Sequence, residues 1–204
     1  MTESVDLLKT EEKYVLVFDI CSSTKIVEHL ILEGPQESWC NLLIDIEDFL
    51  KRESEALGFE IYKFMGDGWI LLFNADLSPK ELFSFLDRLR DKYAVAYNER
   101  IGKILSTRID KIGITFGLEM GNLIRFIMFE RPEYIGRPLI LAGRLQGAIK
   151  DNDPNPQGKL LMSKSVYKKV RRYIPKDHKV WKVTRNLRNV VGGENYDAIK
   201  YEKR

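Results

Sequence analysis

The apolar run YVLVF, residues Tyr14–Phe18, ends directly in an aspartate, Asp19. Five consecutive strand-forming residues with no charged residue among them predict a β-strand that is buried on both faces. A carboxylate at the end of such a strand is costly unless a positive charge meets it. The run therefore predicts a sheet with both faces covered, and it marks Asp19 as a candidate functional residue at the edge of that sheet.

A second aspartate stands in a similar setting. The apolar runs Phe59–Met65 and Trp69–Phe73 are separated by Gly66-Asp67-Gly68, which predicts a β-hairpin with Asp67 at or beside its turn. If the two strands are neighbours, both acids converge at one edge of the sheet. Such oxygen ligands suit Mg²⁺ or Mn²⁺, and two ions about 4 Å apart could activate a hydroxyl and hold leaving phosphates. The plainer alternative, a helix cap at Asp19 and an ordinary turn at Asp67, stays open on these residues alone.

The remaining pattern alternates helices with hairpins. A helix is expected over Thr24–Leu32, and an amphipathic helix from Trp39 to Glu53 is closed by Gly58. Ser78-Pro79 and Pro138 each begin a further helix. A second hairpin is expected at Gly121-Asn122, and weaker strands are expected near three segments, Lys159–Met162, Val180–Thr184 and Tyr196–Tyr201. This order predicts an α+β fold in which helices cover an antiparallel or mixed sheet.

Length and charge limit the function classes. A chain of 204 residues suits one domain, residues 1–204. Residues 159–204 hold 14 Lys/Arg against 4 Asp/Glu, a net charge of +10, while the rest carries −7. This basic segment is consistent with a nucleic-acid contact, a polyphosphate contact or a solvated surface. Apolar residues interrupt it, so we expect it to be folded, and we expect no nucleic-acid partner.

Targeting signals are not recognisable. No apolar run approaches the ~20 residues that a bilayer requires, and the amino terminus MTESVDLLKTEEK lacks a secretory pattern. Cys21 and Cys40 do not have metal-binding spacing and are interpreted as reduced thiols. We therefore predict a cytoplasmic protein without a membrane partner.

Four sequence blocks resemble the class III nucleotidyl cyclases in order and spacing, over about residues 14–150. They are Phe18-Asp19-Ile20-x-x-Ser23-Thr24, Lys63-Phe64-Met65-Gly66-Asp67-Gly68, Lys111-Ile112-Gly113-Ile114-Thr115-Phe116-Gly117, and Tyr134-Ile135-Gly136 followed by Ala142-Gly143-Arg144-Leu145. The resemblance implies a ferredoxin-like, palm-related core in a head-to-tail homodimer with composite sites. It implies that the 3′-oxygen of a nucleoside triphosphate attacks the α-phosphorus, which yields a 3′,5′-cyclic monophosphate and pyrophosphate.

The resemblance also implies residue roles. Asp19 and Asp67 match the aspartates that bind two Mg²⁺ or Mn²⁺ ions, with the Ile20 carbonyl as a backbone ligand. Arg144 matches the arginine that the partner chain contributes to the transition-state phosphate. Lys63 and Glu133 match positions that contact the base.

Phosphate contacts are expected from two further segments. The hydroxyl-rich turn Ser22-Ser23-Thr24 can present backbone N–H groups to phosphate. The phosphate-binding lysine that the family carries near its carboxyl terminus is not cleanly matched, and Arg185 or Arg188 could serve. The family's ribose-orienting asparagine is replaced by Ile140, which leaves a non-catalytic nucleotide-sensing module as one alternative.

The base is the least determined part. A lysine donor with a glutamate acceptor fits adenine, cytosine and uracil, and fits guanine worst. A single-ring base would leave space for a bulky side chain such as Tyr62 or Phe64. The segment EYIGRPLILAGRLQ is similar to the stand-alone bacterial pyrimidine cyclases of Pycsar anti-phage systems. That similarity implies UTP or CTP as substrate and a separate cyclic-nucleotide effector protein, with an adenylate cyclase of ordinary signalling as the alternative.

Overall fold

The computed structural model describes residues 8–203 and contains one eight-stranded sheet. The strands are β1 (Lys9–Ile20), β2 (Glu60–Phe64), β3 (Gly68–Asn74), β4 (Ile114–Met128), β5 (Arg131–Ile135), β6 (Lys159–Ser163), β7 (His178–Arg185) and β8 (Tyr196–Lys203). The helices are α1 (Ser23–Glu33), α2 (Glu37–Leu57), α3 (Pro79–Tyr97), α4 (Arg137–Asn152) and α5 (Lys164–Val170), with a π-helical turn at Asn98–Gly102 and a 3₁₀ turn at Arg171–Tyr173. In the described part of the chain, no helix combines the length and apolarity needed to cross a bilayer.

The sheet order is β2-β3-β1-β4-β6-β8-β7, and β5 pairs with β4 outside this path. Among the strands of residues 8–203, only β4 and β6 run parallel, and every other pairing is antiparallel. The sheet is therefore mixed and flanked by helices, and the predicted α+β class is confirmed.

Both faces of β1 are covered, as its apolar run predicts. Leu16 and Phe18 belong to the large core cluster that α2 and α3 close from one side. Val15 and Val17 belong to a smaller cluster on the other face, together with Ala142 of α4. Side chains alternate between the two faces of a strand, so Asp19 extends from the same face as Val17, which is the face that α4 covers.

The predicted hairpin at Gly121-Asn122 is wrong. Gly121 lies inside the continuous strand β4, opposite Lys13 of β1. The chain turns instead at Phe129 and Glu130, whose φ angles of 52° and 62° are unusual for such side chains. The glycine has a different purpose, because a Cβ at Gly121 would lie 3.1 Å from Pro138 Cγ at the start of α4. Gly121 thus marks a close approach between strand and helix rather than a turn.

The basic carboxyl-terminal segment is folded, and the three weaker strands are confirmed as β6, β7 and β8. Helix α5 was not predicted. Its start is fixed by Ser163, whose hydroxyl accepts a hydrogen bond from the Val166 N–H at 3.2 Å. Val166 and Val170 are buried on the inner side of the helix, and such a two-residue stripe is too short to stand out in a sequence.

Candidate functional site

Strand register brings Asp19 and Asp67 to one edge of the sheet. β1 and β3 pair antiparallel with Asp19 opposite Gly68, and the Ile20 N–H donates to the Asp67 carbonyl oxygen at 3.0 Å. We call the two carboxylates and the Ile20 carbonyl the acidic site. The predicted convergence of the two acids is confirmed.

The glycines around Asp67 are required by geometry. A Cβ at Gly68 would lie 2.2 Å from the Phe18 carbonyl oxygen and 3.2 Å from Asp19 Oδ1, so only glycine lets the strands approach this closely. Gly66 has φ +97°, a conformation that glycine adopts without strain. The motif Gly66-Asp67-Gly68 therefore places Asp67 close to β1, the strand that carries Asp19.

The hydroxyl-rich turn borders the acidic site. Helix α1 begins at Ser23, whose hydroxyl donates to Asp67 Oδ2. Ser22 has a left-handed φ of 58°, and its hydroxyl donates to the Lys111 carbonyl at 3.2 Å. Thr24 is exposed in the first turn of the helix. The first N–H groups of a helix have no partner within it, so those at this end of α1 can donate to phosphate oxygens beside Asp67.

Helix α4 supplies two contacts to Asp19 that sequence reasoning missed. Gln146 Nε2 donates to Asp19 Oδ2 at 3.3 Å and to Thr115 Oγ1 at 2.8 Å. The Lys150 ammonium contacts the same Asp19 oxygen and donates to the Ile20 carbonyl oxygen at 3.2 Å. Both residues lie on one face of α4 because they are four positions apart.

One signal in the sequence could have indicated these contacts. A Cβ at Gly117 would lie 2.0 Å from the Ala142 carbonyl oxygen and 2.5 Å from the backbone nitrogen of Gln146, so this glycine lets α4 lie directly on β4. Gly117 stands two residues after Thr115, the residue opposite Asp19. The packed helix thus leaves one trace in the sequence, a glycine within a strand, but the sequence alone does not distinguish it from a turn glycine.

Burial dominates the electrostatics of the acidic site. The Asp19 side chain is only 15% exposed, and this burial raises its pKa to about 6 although the Lys150 ammonium opposes the rise and the Asp67 carboxyl adds to it. A desolvated carboxylate beside a second carboxylate favours a bound cation, and the Lys150 ammonium already lies there. In residues 8–203 no group of three or more His, Cys, Asp or Glu forms a cage for a metal ion. Two carboxylates and a carbonyl still fit Mg²⁺ or Mn²⁺, which leave other positions to water and phosphate.

A second group of polar residues, the Tyr62–Glu133 cluster (Tyr62, Lys63, Glu133 and Tyr134), lies on β2 and β5. Lys63 Nζ is 3.5 Å from Glu133 Oε2, and the Tyr62 hydroxyl donates to the same oxygen. The Tyr134 N–H donates to the Tyr62 oxygen at 3.3 Å. The hydrogen bond from Tyr62 lowers the pKa of Glu133. Lys63 and Glu133, the two residues matched to base-contacting positions, therefore lie in contact.

A bulge in β2 explains how the adjacent residues Tyr62 and Lys63 both contact Glu133. The pairing with β3 shifts between Ile61 and Lys63, so Tyr62 is the extra residue. Phe64 instead packs against Trp69 with the ring planes tilted by 46° and the ring centroids 4.9 Å apart, and Trp69 belongs to the large core cluster. Of the two bulky side chains considered for this position, only Tyr62 contacts Glu133.

The acidic site and the Tyr62–Glu133 cluster share a face of the sheet. Lys63 pairs with Ile70 of β3, and Ile70 pairs with Val17 of β1, two residues before Asp19. Two strand spacings across and two residues along correspond to about 12 Å. The groups are therefore separated by roughly the distance from the base to the phosphates of a nucleotide.

Arg144 lies apart from both groups. It is exposed on α4 and makes no hydrogen bond or ion pair with any residue between 8 and 203. Arg144 is two residues from Gln146, about 200° around the helix axis, so it faces away from the Asp19 of its own chain. Ile140, one turn earlier, is 54% exposed.

Of the two arginines considered for the phosphate, Arg185 pairs with Asp153, whereas Arg188 has no hydrogen bond or ion pair with any residue between 8 and 203. Arg185 Nη2 lies 3.5 Å from Asp153 Oδ1. Arg188 is exposed in the loop between β7 and β8, and its neighbour Leu187 packs in one cluster with Leu145 of α4. The geometry therefore favours Arg188 as the basic residue presented beside α4.

The comparisons with known proteins agree with this architecture. No protein-family model matches the chain, and no curated protein matches its sequence. Among solved structures, the guanylyl cyclase Cya2 shares 16% identity over 96% of this chain and 92% of that chain, with a TM-score of 0.69. The adenylyl cyclase CyaB from P. aeruginosa shares 19% identity over 97% and 95%, with a TM-score of 0.67.

A third solved structure is a class III adenylyl cyclase-like ATP-binding protein from Pseudomonas aeruginosa. It shares 18% identity over 81% of this chain and 37% of that chain, with a TM-score of 0.61. At such identities the likeness establishes the fold. The predicted fold of the class III nucleotidyl cyclase catalytic domains is confirmed.

Proposed function

We propose that this chain, which has the fold of class III nucleotidyl cyclase catalytic domains, converts a nucleoside triphosphate into a 3′,5′-cyclic monophosphate and pyrophosphate. The observation that carries the proposal is the meeting of Asp19 and Asp67 across β1 and β3. The Ile20 carbonyl and the start of α1 lie at the same place. Carboxylates for divalent cations and helix N–H groups for phosphate are the two elements that triphosphate chemistry requires.

Asp19, Asp67 and the Ile20 carbonyl would hold two Mg²⁺ or Mn²⁺ ions. The chemistry that such ions supply is a lower pKa for the 3′-hydroxyl and neutralisation of the triphosphate. Ser23 fixes the Asp67 carboxylate, and the turn Ser22–Thr24 presents N–H groups to phosphate oxygens.

The reaction is a displacement at phosphorus. The 3′-oxygen forms a bond to the α-phosphorus, the bond to the β-phosphate oxygen breaks, and the hydroxyl proton passes to solvent as pyrophosphate leaves. The protein contributes by positioning and by stabilising charge rather than by covalent chemistry.

We infer a head-to-tail homodimer in which Arg144 acts in the site of the partner chain. Arg144 and Arg188 are exposed, and Arg144 faces away from its own acidic site. The hairpin of β4 and β5 carries exposed apolar residues that a second copy would cover: Ile124, Ile127, Met128, Phe129 and Ile135. Loss of a fixed positive donor such as Arg144 should lower the rate by about 10²–10³-fold.

For the substrate we favour UTP or CTP. Tyr62 fills space beside Lys63 and Glu133, and its ring packs edge-on against Tyr134 at 5.3 Å. A bulky ring at this place supports a single-ring base. The similarity of the segment EYIGRPLILAGRLQ to the pyrimidine cyclases also predicts a role in anti-phage defence. In that role a separate effector protein would bind the cyclic nucleotide product. Both remain predictions from the sequence.

The direct test incubates the purified protein with ATP, GTP, CTP and UTP separately in Mn²⁺ and identifies each product by mass. We expect cyclic UMP or cyclic CMP to dominate, and Asp67→Ala protein purified in parallel to give none. Dominant cyclic AMP would contradict the pyrimidine assignment and favour an adenylate cyclase. No cyclic product from any of the four would contradict the cyclase activity.

A second candidate is a nucleotide-sensing module without turnover. Ile140 stands where the resembling cyclases carry a ribose-orienting asparagine, and one matching structure is described as an ATP-binding protein. Binding of a labelled triphosphate without any cyclic product would establish this reading. Restoration of turnover by Ile140→Asn would then identify the missing amide as its cause.

A further inference from the structure

Lys150 lies where the acidic site would bind a cation. Its ammonium contacts Asp19 Oδ2 and donates to the Ile20 carbonyl at 3.2 Å. These are two of the three groups assigned to the divalent ions. An ammonium and a divalent ion compete for these two oxygens, since both are attracted to the same lone pairs and repel each other at this distance.

The position of Lys150 allows its ammonium to be exchanged for a divalent ion. Lys150 lies in the last turn of α4, and its side chain is 33% exposed, so the ammonium can leave Asp19 for solvent without displacing the helix. Gln146, one turn earlier, is buried and bonded to Thr115, so that part of the helix keeps its position. A fixed helix with a partly exposed ammonium in its last turn is suited to reversible binding of that ammonium to the acidic site.

We propose that Lys150 is a displaceable internal cation of the acidic site. In the free protein it neutralises Asp19, and it must leave before a divalent ion binds to Asp19 and the Ile20 carbonyl. Bound triphosphate offers phosphate oxygens close by to the displaced ammonium, so nucleotide and metal ion bind more tightly together than separately. This inference rests on the proposed function, because it assumes that the acidic site binds divalent ions.

The first test measures Mn²⁺ binding without nucleotide, by titration calorimetry and by the loss of the free Mn²⁺ resonance signal. Lys150→Met, which keeps the length of the side chain and removes its charge, should bind Mn²⁺ about tenfold or more tightly than the wild type. Lys150→Arg keeps the charge and should remain near the wild type.

Lys111→Met is the matched control. Lys111 is exposed near Cys21, and its carbonyl accepts from Ser22, but its ammonium makes no ion pair with any residue between 8 and 203. The Lys111→Met substitution therefore removes one positive charge near the acidic site without freeing Asp19, and the affinity for Mn²⁺ should change little. An equal gain in Lys111→Met and Lys150→Met would attribute the effect to net charge and overturn the proposal.

A thermal melt separates displacement from a structural role. In EDTA, Lys150→Met should be less stable than the wild type because Asp19 loses its counter-charge. Saturating Mn²⁺ should reduce or reverse this deficit. A deficit that is constant at every Mn²⁺ concentration would show that Lys150 only supports the fold.

The outcomes also separate this inference from the proposed function. If the wild type binds Mn²⁺ and Lys150→Met binds it no more tightly, only the role of Lys150 is wrong. If neither protein binds Mn²⁺ at millimolar concentration, the metal assignment is wrong, and the displaceable cation is overturned with it.

Discussion

The acidic site and the Tyr62–Glu133 cluster are built in opposite ways. The Asp19 side chain is 15% exposed, and burial raises its pKa, whereas the Lys63 side chain is 54% exposed, and a hydrogen bond lowers the pKa of its partner Glu133. The acidic site depends on backbone register between central strands and on Gly68. The cluster depends on long side chains at a bulge in β2, which lies at the edge of the sheet.

In the proposed enzyme, this difference separates two requirements, the positioning of the reacting phosphate and the choice of the base. Groups that act at the reacting phosphate need fixed positions, and main-chain pairing between central strands provides them. Groups that contact the base can differ among proteins of one fold, because edge side chains change without disturbing the core. We therefore expect substitutions in the acidic site to abolish the reaction and substitutions in the cluster to change the substrate.

The largest effect is expected for Asp67→Ala. Loss of one of two carboxylates should lower the rate of cyclisation by at least about 10³-fold and weaken Mn²⁺ binding, as measured by product formation and calorimetry. Asp76→Ala is the matched control, since Asp76 is exposed beyond the other end of β3. Retention of more than a tenth of the activity by Asp67→Ala would remove this residue from the reaction.

The second largest effect is expected for Gly68→Ala, which should weaken the folded structure rather than remove a reacting group. The new methyl group would lie 2.2 Å from the Phe18 carbonyl, so β3 must move away from β1. We expect a loss of about 2–3 kcal/mol in the free energy of unfolding together with weaker Mn²⁺ binding. In Gly143→Ala the methyl group meets nothing within 4 Å, so that helix variant should be neutral or slightly more stable. Equal stability of the two variants in urea unfolding would contradict the close approach.

Substitutions in the Tyr62–Glu133 cluster should change the selectivity for the base of the substrate. Tyr62→Ala opens space beside Glu133, and we expect the ratio of purine to pyrimidine turnover, measured as kcat/KM, to rise about 10- to 100-fold. Tyr62→Phe keeps the ring and should retain the pyrimidine preference. If both variants keep the wild-type ratio while losing activity equally, Tyr62 has no part in base choice.

The smallest effect concerns stability and pH without metal. The pKa of Asp19 in the folded protein is about 6, above the ordinary value near 4, so the folded state binds more protons than the unfolded state between these values. The contribution of Asp19 to stability is therefore complete below about pH 4 and is lost as the pH rises through 6. In EDTA at pH 7.5, Asp19→Asn should be about 1–2 kcal/mol more stable than the wild type, and the difference should vanish near pH 4. A difference that does not change with pH would contradict the buried carboxylate.

Much of the acidic site could be predicted from the sequence because its signals are local. The run YVLVF indicates a strand, and the glycines beside Asp67 indicate a hairpin, so the two carboxylates needed only one assumption, that the strands are neighbours. That assumption is confirmed.

The contacts from α4 could not be predicted in the same way. Gln146 and Lys150 reach Asp19 over more than 120 positions of the chain, and neither residue type indicates a site by itself. The expected hairpin at Gly121 was wrong for a related reason, because a glycine that admits a neighbouring helix looks like a turn glycine when only the sequence is known. Long-range packing, rather than local preference, decides both cases.

The central claim is that one active site joins Asp19 of one chain with Arg144 of a second copy. It is tested by mixing Asp19→Ala and Arg144→Ala proteins, each nearly inactive alone, under conditions that permit exchange of subunits. Half of the dimers are then hybrids with one intact site, so the mixture should recover up to about a quarter of wild-type activity. A mixture as inactive as its two components, although hybrid dimers are shown to form, would contradict the composite site.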